Sequence, residues 1–260
     1  MPLLFHTLAS GSKGNAILIC SHKTRILLDS GLSTKELVRR LEQTGVKANQ
    51  LAAVVISHEH TDHVRGLGTL SRRFDLPVYL SQGTLDHLPA EIGQLADVKL
   101  FQPGNSFVIG DLRIKPFAIS HDAQDPAGFV LEHDVHRLGV CTDLGVATQL
   151  VRTRLQGCHG LILEANHDPE LLLSGPYPLP LQQRIRSRHG HLSNAESFEL
   201  LQSIYHEALR IVLFAHLSEV NNQPDLVLRS SRECLTDSGW EGVTLEIGKQ
   251  HEVSNGHELI

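Results

Sequence analysis

The feature that most constrains this chain is the run Val54-Val55-Ile56-Ser57-His58-Glu59-His60-Thr61-Asp62-His63. An apolar segment reads as a buried strand, and it ends in three histidines and two acids. Side chains two apart in an extended segment point the same way, so His58 and His60 can grip one ion. Asp62 and His63 follow where a helix begins and can face a second ion. Imidazole and carboxylate donors suit Zn²⁺, and also Mn²⁺ or Fe²⁺. The chain carries 17 histidines, so a chance cluster is the bland alternative. A ligand-rich loop directly after an apolar strand has no packing purpose, however, and marks a site.

Short Val/Ile/Leu-rich runs recur along the chain. They include 16–20, 25–28, 51–57, 78–80, 106–109, 112–120, 128–132, 137–142, 160–163, 211–215 and 243–247, and their lengths suit buried strands. Ser33 with Glu36 and Ser193 with Glu196 have capping-box spacing, which predicts helices over 33–43 and 193–208. Residues 63–74, 145–155 and 224–235 also read as helices. This order implies an α+β fold with two sheets face to face and helices outside. Residues 1–260 read as one domain. The Pro-rich stretch 174–180 reads as a loop within it, and the last dozen polar residues are expected to fray.

A net charge of −6 gives no global pull on nucleic acid, so such binding would need local basic residues. Arg184, Arg186 and Arg188 are candidates, with Arg72 and Arg73 behind the histidine run. A solvated helix face explains each arginine singly about as well. Cys20, Cys141, Cys158 and Cys234 include no C-x-x-C pair and read as buried small side chains in a reducing compartment. The N-terminal residues lack the pattern of a signal peptide, and no apolar run reaches membrane-spanning length. The expected location is the cytoplasm, with no membrane partner.

The H-x-H-x-D-H run resembles the signature of the metallo-β-lactamase superfamily. That resemblance implies a four-layer αββα sandwich and makes demands on the rest of the chain. An aspartate at the end of an early strand is met by Asp29, a later loop histidine by His121, a strand-end acid by Asp143, and a late histidine by His216. It implies that His58, His60 and His121 hold one divalent ion. Asp62, His63 and His216 would hold another, with Asp143 bridging and Asp29 orienting a ligand histidine. The match runs from Leu8 to about Gln223.

Two more features resemble the tRNase Z-like nucleases of that superfamily. Glu164 stands at a strand end and His191 precedes a capped helix. The resemblance implies that Glu164 orients His191 and that His191 protonates a leaving oxygen. Taken singly, each also reads as an ordinary strand-end acid and loop histidine. The loop Ser10-Gly11-Ser12-Lys13-Gly14-Asn15, with Gly190–Asn194 and His216–Pro224, resembles the YycJ/WalJ-type proteins, bacterial 5′→3′ DNA exonucleases. It implies a metal-dependent phosphodiesterase in which a hydroxide between two metals attacks phosphorus. DNA is the favoured substrate, with Ser10, Ser12, Asn15, Arg184, Arg186 and Arg188 as candidate substrate contacts. The alternatives are an RNA-processing nuclease and a thioester or other small-molecule hydrolase of the glyoxalase II type. The latter would need neither Glu164 nor His191.

Overall fold

Successive residues of one strand enter different cores. Ile26 and Leu28 lie between two sheets, while Leu27 packs against helices on the outer face. Val55 likewise lies between the sheets, with Val54 and Ile56 outside. Both faces are apolar, which is why these strands show no alternation in the sequence.

The computed structural model describes residues 2–237, 240 and 242–260. In chain order its elements begin with β1 (Leu3–Ala9), β2 (Ala16–Cys20), β3 (Arg25–Leu28), α1 (Thr34–Gln43), β4 (Ala53–Val55), α2 (Thr61–Val64), α3 (Leu67–Phe74), β5 (Pro77–Leu80), α4 (Gln82–Asp86) and β6 (Asp97–Leu100). Next come β7 (Phe107–Ile109), β8 (Leu112–Ala118), β9 (Ala127–His133), β10 (His136–Cys141), α5 (Gln149–Leu155) and β11 (Gly160–Glu164). The chain ends with α6 (Pro169–Ser174), α7 (Leu179–Ile185), α8 (Asn194–Ile204), β12 (Ile211–Ala215), α9 (Pro224–Asp237), β13 (Thr244–Ile247) and β14 (His257–Leu259).

Among the described residues two seven-stranded sheets result, in the orders β14-β1-β2-β3-β4-β5-β6 and β13-β12-β11-β10-β9-β8-β7. Each is antiparallel in one half and parallel in the other. The parallel pairs join β3 through β6 in the first sheet and β10 through β13 in the second. The outer face of the first sheet packs on α1 and α3, and that of the second on α5, α8 and α9. This is the four-layer αββα sandwich of the metallo-β-lactamase fold. Among the described residues, no helix is long and apolar enough to cross a membrane.

Strand direction positions the site. β10, β11 and β12 run the same way, as does β8, which is antiparallel to β9 as β10 is. The loops after β3, β4, β8, β10, β11 and β12 therefore open on one rim, the usual place for ligands in parallel sheets.

Several expectations need correction. The helix expected over 63–74 is two helices, because the ladder breaks at Gly66: its N–H donates to Ser30 O (2.8 Å) and not to Asp62 O, which accepts from Asn15 N (2.7 Å). The helix expected from Gly145 starts at Gln149 under a Thr148 cap. Ser33 caps α1, but Glu36 turns away to bind Arg39 and Arg40. At α8 both halves of the capping box form. The C-terminal residues do not all fray: His257–Leu259 pair with β1, with Leu259 buried opposite Leu3.

Candidate metal centre

Three turns that aim side chains into the rim have left-handed backbone at a residue other than glycine. These are Asp29 (φ 62°), Asp143 (φ 58°) and His216 (φ 55°). Asp and His tolerate this region better than most residues, and such local cost is typically held at functional sites.

The side chains form two groups. His58 Nε2 lies 3.0 Å from His60 Nδ1, and His121 Nε2 lies 3.3 Å from the same atom. In the other group, His63 Nε2 and His216 Nε2 are each 3.6 Å from Asp62 Oδ2. Asp143 stands between the groups. Its Oδ2 is 3.2 Å from His63 Nε2, and its Oδ1 is 3.8 Å from His121 Nε2 and 3.3 Å from His216 Nδ1.

The outer atoms of the imidazoles are tied back. His63 Nδ1 donates to Asp29 Oδ2 (2.8 Å), His121 Nδ1 to Gly190 O (3.1 Å) and His216 Nδ1 to Glu164 Oε1 (2.9 Å). Ser57 Oγ donates to Asp29 Oδ2 (2.9 Å), so it accepts from His58 Nδ1 (3.0 Å). These partners hold the Nδ1 atoms, leaving Nε2 of His58, His63, His121 and His216 turned toward the centre, the nitrogen that a metal ion would take in place of a proton.

The electrostatics fit a cation. Burial, followed by the neighbouring His63, pushes the pKa of His58 well below its ordinary value. Burial would also lower His63 and His216, but surrounding carboxylates, Asp143 foremost, outweigh it and hold both well above. Burial would raise Asp143, yet His216 and His63 hold it well below. Asp143 Oδ2 and His216 Nε2 are buried and make no hydrogen bond. Lone pairs converging at 3.0–3.3 Å, buried carboxylates and unpartnered atoms are what divalent ions would satisfy.

Beside the centre, Glu164 is fully buried. Its Oε1 accepts from His191 Nδ1 (2.8 Å) as well as His216 Nδ1, and its Oε2 accepts from Leu144 N (2.8 Å) and Leu192 N (3.1 Å). Burial opposes its charge, but His191 and these hydrogen bonds hold its pKa at about 2. The His191 side chain keeps 21% exposure, against 2–3% for His121 and His216. It reaches the cleft without being enclosed by it.

The model of the β-lactamase superfamily domain matches residues 24–216, about three-quarters of the chain. The chain belongs to the metallo-β-lactamase superfamily. It is 32% identical over 242 residues to a Bacillus anthracis protein named exodeoxyribonuclease YycJ, covering 92% of each. It is 33% identical over 226 residues to exodeoxyribonuclease WalJ of Streptococcus pneumoniae, covering 85% of this chain and 84% of that one. Among solved structures, the metallo-β-lactamase fold protein YhfI from Bacillus subtilis superposes with a TM-score of 0.77 at 17% identity, covering 99% and 100% of the two chains.

In this metallo-β-lactamase-fold hydrolase the remaining candidates separate. Ser12 and Arg184 line the cleft, which is about 410 Å³. Arg184 is already paired with Asp122 (2.6 Å). Ser10 and Asn15 are buried behind the histidines instead. Ser10 Oγ accepts from His216 N (2.7 Å), and Asn15 Nδ2 donates to Asp62 Oδ2 (3.2 Å) and lies 3.0 Å from His63 Nε2. Both are buried and support residues of the centre, and neither lines the cleft. Arg186 lines a separate hollow with His167, Ser193 and Glu196, and Arg188 lines neither. Arg72 is spent on the carbonyls of Ile92 and Gln94. Sequence reasoning missed Ser57, Asp122 and Tyr177. Ser57 was findable as the residue between a strand and its histidines, whereas the other two had no local signal.

Proposed function

We propose that this hydrolase is a metal-dependent phosphodiesterase that degrades DNA from its 5′ end. The observation that carries the reading is Glu164 bound to His191 beside a seven-residue His/Asp cluster, in a chain related over most of its length to two proteins named exodeoxyribonucleases. A thioester hydrolase expels a thiolate, which leaves without protonation, so it has no need of a proton-carrying histidine outside the ligand set. The 5′→3′ direction is the one implied by the sequence resemblance.

His58, His60 and His121 would hold one divalent ion, and Asp62, His63 and His216 a second, with Asp143 shared. Zn²⁺ or Mn²⁺ fits these donors, and Fe²⁺ does as well. Such ions supply Lewis-acid stabilisation of phosphoryl oxygens and a nucleophile at neutral pH. His191 donates Nδ1–H to Glu164, which turns its Nε2 to the cleft. From there it passes a proton to the departing oxygen of the diester. Asp29, with Ser57, keeps the His58 and His63 rings aimed. Buried thiols at Cys20, Cys141 and Cys158 fit a reducing cytoplasm.

The test is a side-by-side assay of the metal-quantified protein on 5′- and 3′-labelled DNA, labelled RNA and a thioester. Mononucleotide released first from 5′-labelled DNA is expected. Thioester hydrolysis without DNA degradation overturns the reading, and loss of the 3′ label first overturns the direction.

A further inference from the structure

The cleft has two kinds of lining residue. The polar kind includes His60, Asp62, His121, Asp143, His191 and His216. Tyr177, Leu181 and Ile185 line the same cleft with largely apolar side chains, and Arg184 lies among them, paired with Asp122. Leu181 and Ile185 are one turn apart on one face of α7, and Tyr177 lies in the loop just before that helix, so the three make one short apolar stripe of the lining. All three are half-buried, and none belongs to any of the three hydrophobic cores or packs against one. An apolar stripe that faces a polar cleft and no core fits a ligand with an apolar face.

The stripe is rigidly mounted. Pro176, Pro178 and Pro180 restrict the chain around Tyr177. Gln182 Nε2 donates to the Tyr177 carbonyl (2.9 Å). At Gly175 an added Cβ would lie 2.5 Å from Asn221 Oδ1, so the loop is seated against the sheet rim. The Ile185 carbonyl accepts from His191 N (2.9 Å), which ties the stripe to the histidine that faces the substrate.

We propose that Tyr177, Leu181 and Ile185 form a nucleobase subsite, which takes the unpaired base of the terminal nucleotide while its phosphodiester lies against the histidines. The proposal rests on the nuclease reading above and names what that site grips. Stacking on an aromatic ring is tolerant of base identity, which suits an enzyme that must digest any sequence. A base seated there has left its own stack, so a paired end must open first.

The experiment uses single-stranded oligonucleotides whose terminal residue, at either end, carries thymine or is abasic. The full chain is loaded with Mn²⁺, and the first cleavage is timed. The expected result is about tenfold faster removal of the base-bearing residue, with that ratio falling toward one in Y177A and in L181A and retained in Y177F. A separate readout avoids turnover: a terminal 4-thiothymidine, irradiated with the protein in EDTA, should crosslink to the peptide containing Tyr177. Folding of each variant is checked by thermal denaturation. Equal rates on thymine and abasic ends in the native protein overturn the subsite, as does a ratio unaltered in both alanine variants or a crosslink that maps elsewhere. Failure to cut any oligonucleotide overturns the nuclease reading and the subsite with it. Cutting without discrimination overturns the subsite alone.

Discussion

Glutamine at position 164 keeps the volume of the side chain but turns one of its two acceptors into a donor. The carboxylate takes four hydrogen bonds, two at each oxygen. If the amide oxygen faces His191 and His216, the NH₂ faces the N–H groups of Leu144 and Leu192. Two buried donors then lose their acceptor, at about 1–3 kcal/mol each. A loss of roughly 2–6 kcal/mol corresponds to a fall of roughly 5–20 °C in the melting temperature of a chain near this size. If the NH₂ faces the histidines, both Nδ1 atoms must accept, and the proton of each ring moves to Nε2. His216 then has no lone pair for a metal. Losing the partner that orients a ligand costs about 10–100-fold in metal affinity, or about 1.4–2.8 kcal/mol. The two outcomes are separated by melting E164Q in EDTA and by titrating its metal against a chromophoric chelator. One quantity or the other must fall. A variant with a melting temperature within about 2 °C of the native protein and an affinity within about threefold would refute the role given to Glu164.

Metal itself should stabilise the fold, because the donor atoms are gathered only in the folded chain and a ligand that binds the folded state alone stabilises it. At a free metal concentration of about 100 times Kd the gain is about 2.7 kcal/mol, read as a higher melting temperature than in EDTA. An unchanged melting temperature would count against a metal in this cluster. Asp111 accepts hydrogen bonds from Ser21 Oγ and Lys23 N (3.3 Å), joining the β2–β3 turn to β8. Burial opposes its ionisation, but the bonds from Ser21 and Thr24 outweigh this and hold its pKa at about 2. That is below the ordinary value of about 3.9, so its stabilisation is complete above that pH and is lost as pH falls through about 2. Urea denaturation should show D111N less stable than the native protein by a constant margin at pH 7 and pH 5. The margin should narrow at pH 3, and one that widens there would contradict the assignment. Burial pushes the thiol of Cys20 up to about 11 and that of Cys158 up to about 12, so a mapped alkylation at pH 8 should leave both unmodified until the protein is unfolded.

Much of the site was legible because its chemistry is local. A histidine or acid at or just past the end of an apolar run is visible without knowing what the run pairs with, and this holds at Asp29, His58–His63, His121, Asp143, Glu164 and His216. Helix caps were legible for the same reason at Ser33 and Ser193. The strand β14 was not legible. Three residues, His-Glu-Leu, have no periodicity of their own and are ordered only by pairing with β1, more than two hundred positions away.

The sequence by itself determined which residue types stand at the ends of which strands, because hydrophobic runs and their terminal ligands are written in order along the chain. Tertiary structure decided which of these meet. Strands that run the same way within each sheet bring six loops to one rim, and there Asp143 falls between two groups of histidines. Long-range packing also turned Ser10 and Asn15 from candidate substrate contacts into supports, since the first loop is folded under His216 and His63. It separated Arg184 from Arg186 and Arg188, because the docking of α7 sends neighbouring residues of one segment to different surfaces. It brought Tyr177 into the same cleft as the histidines as well, since the Gly175–Pro178 loop is held against the rim by contacts that no stretch of the sequence contains alone.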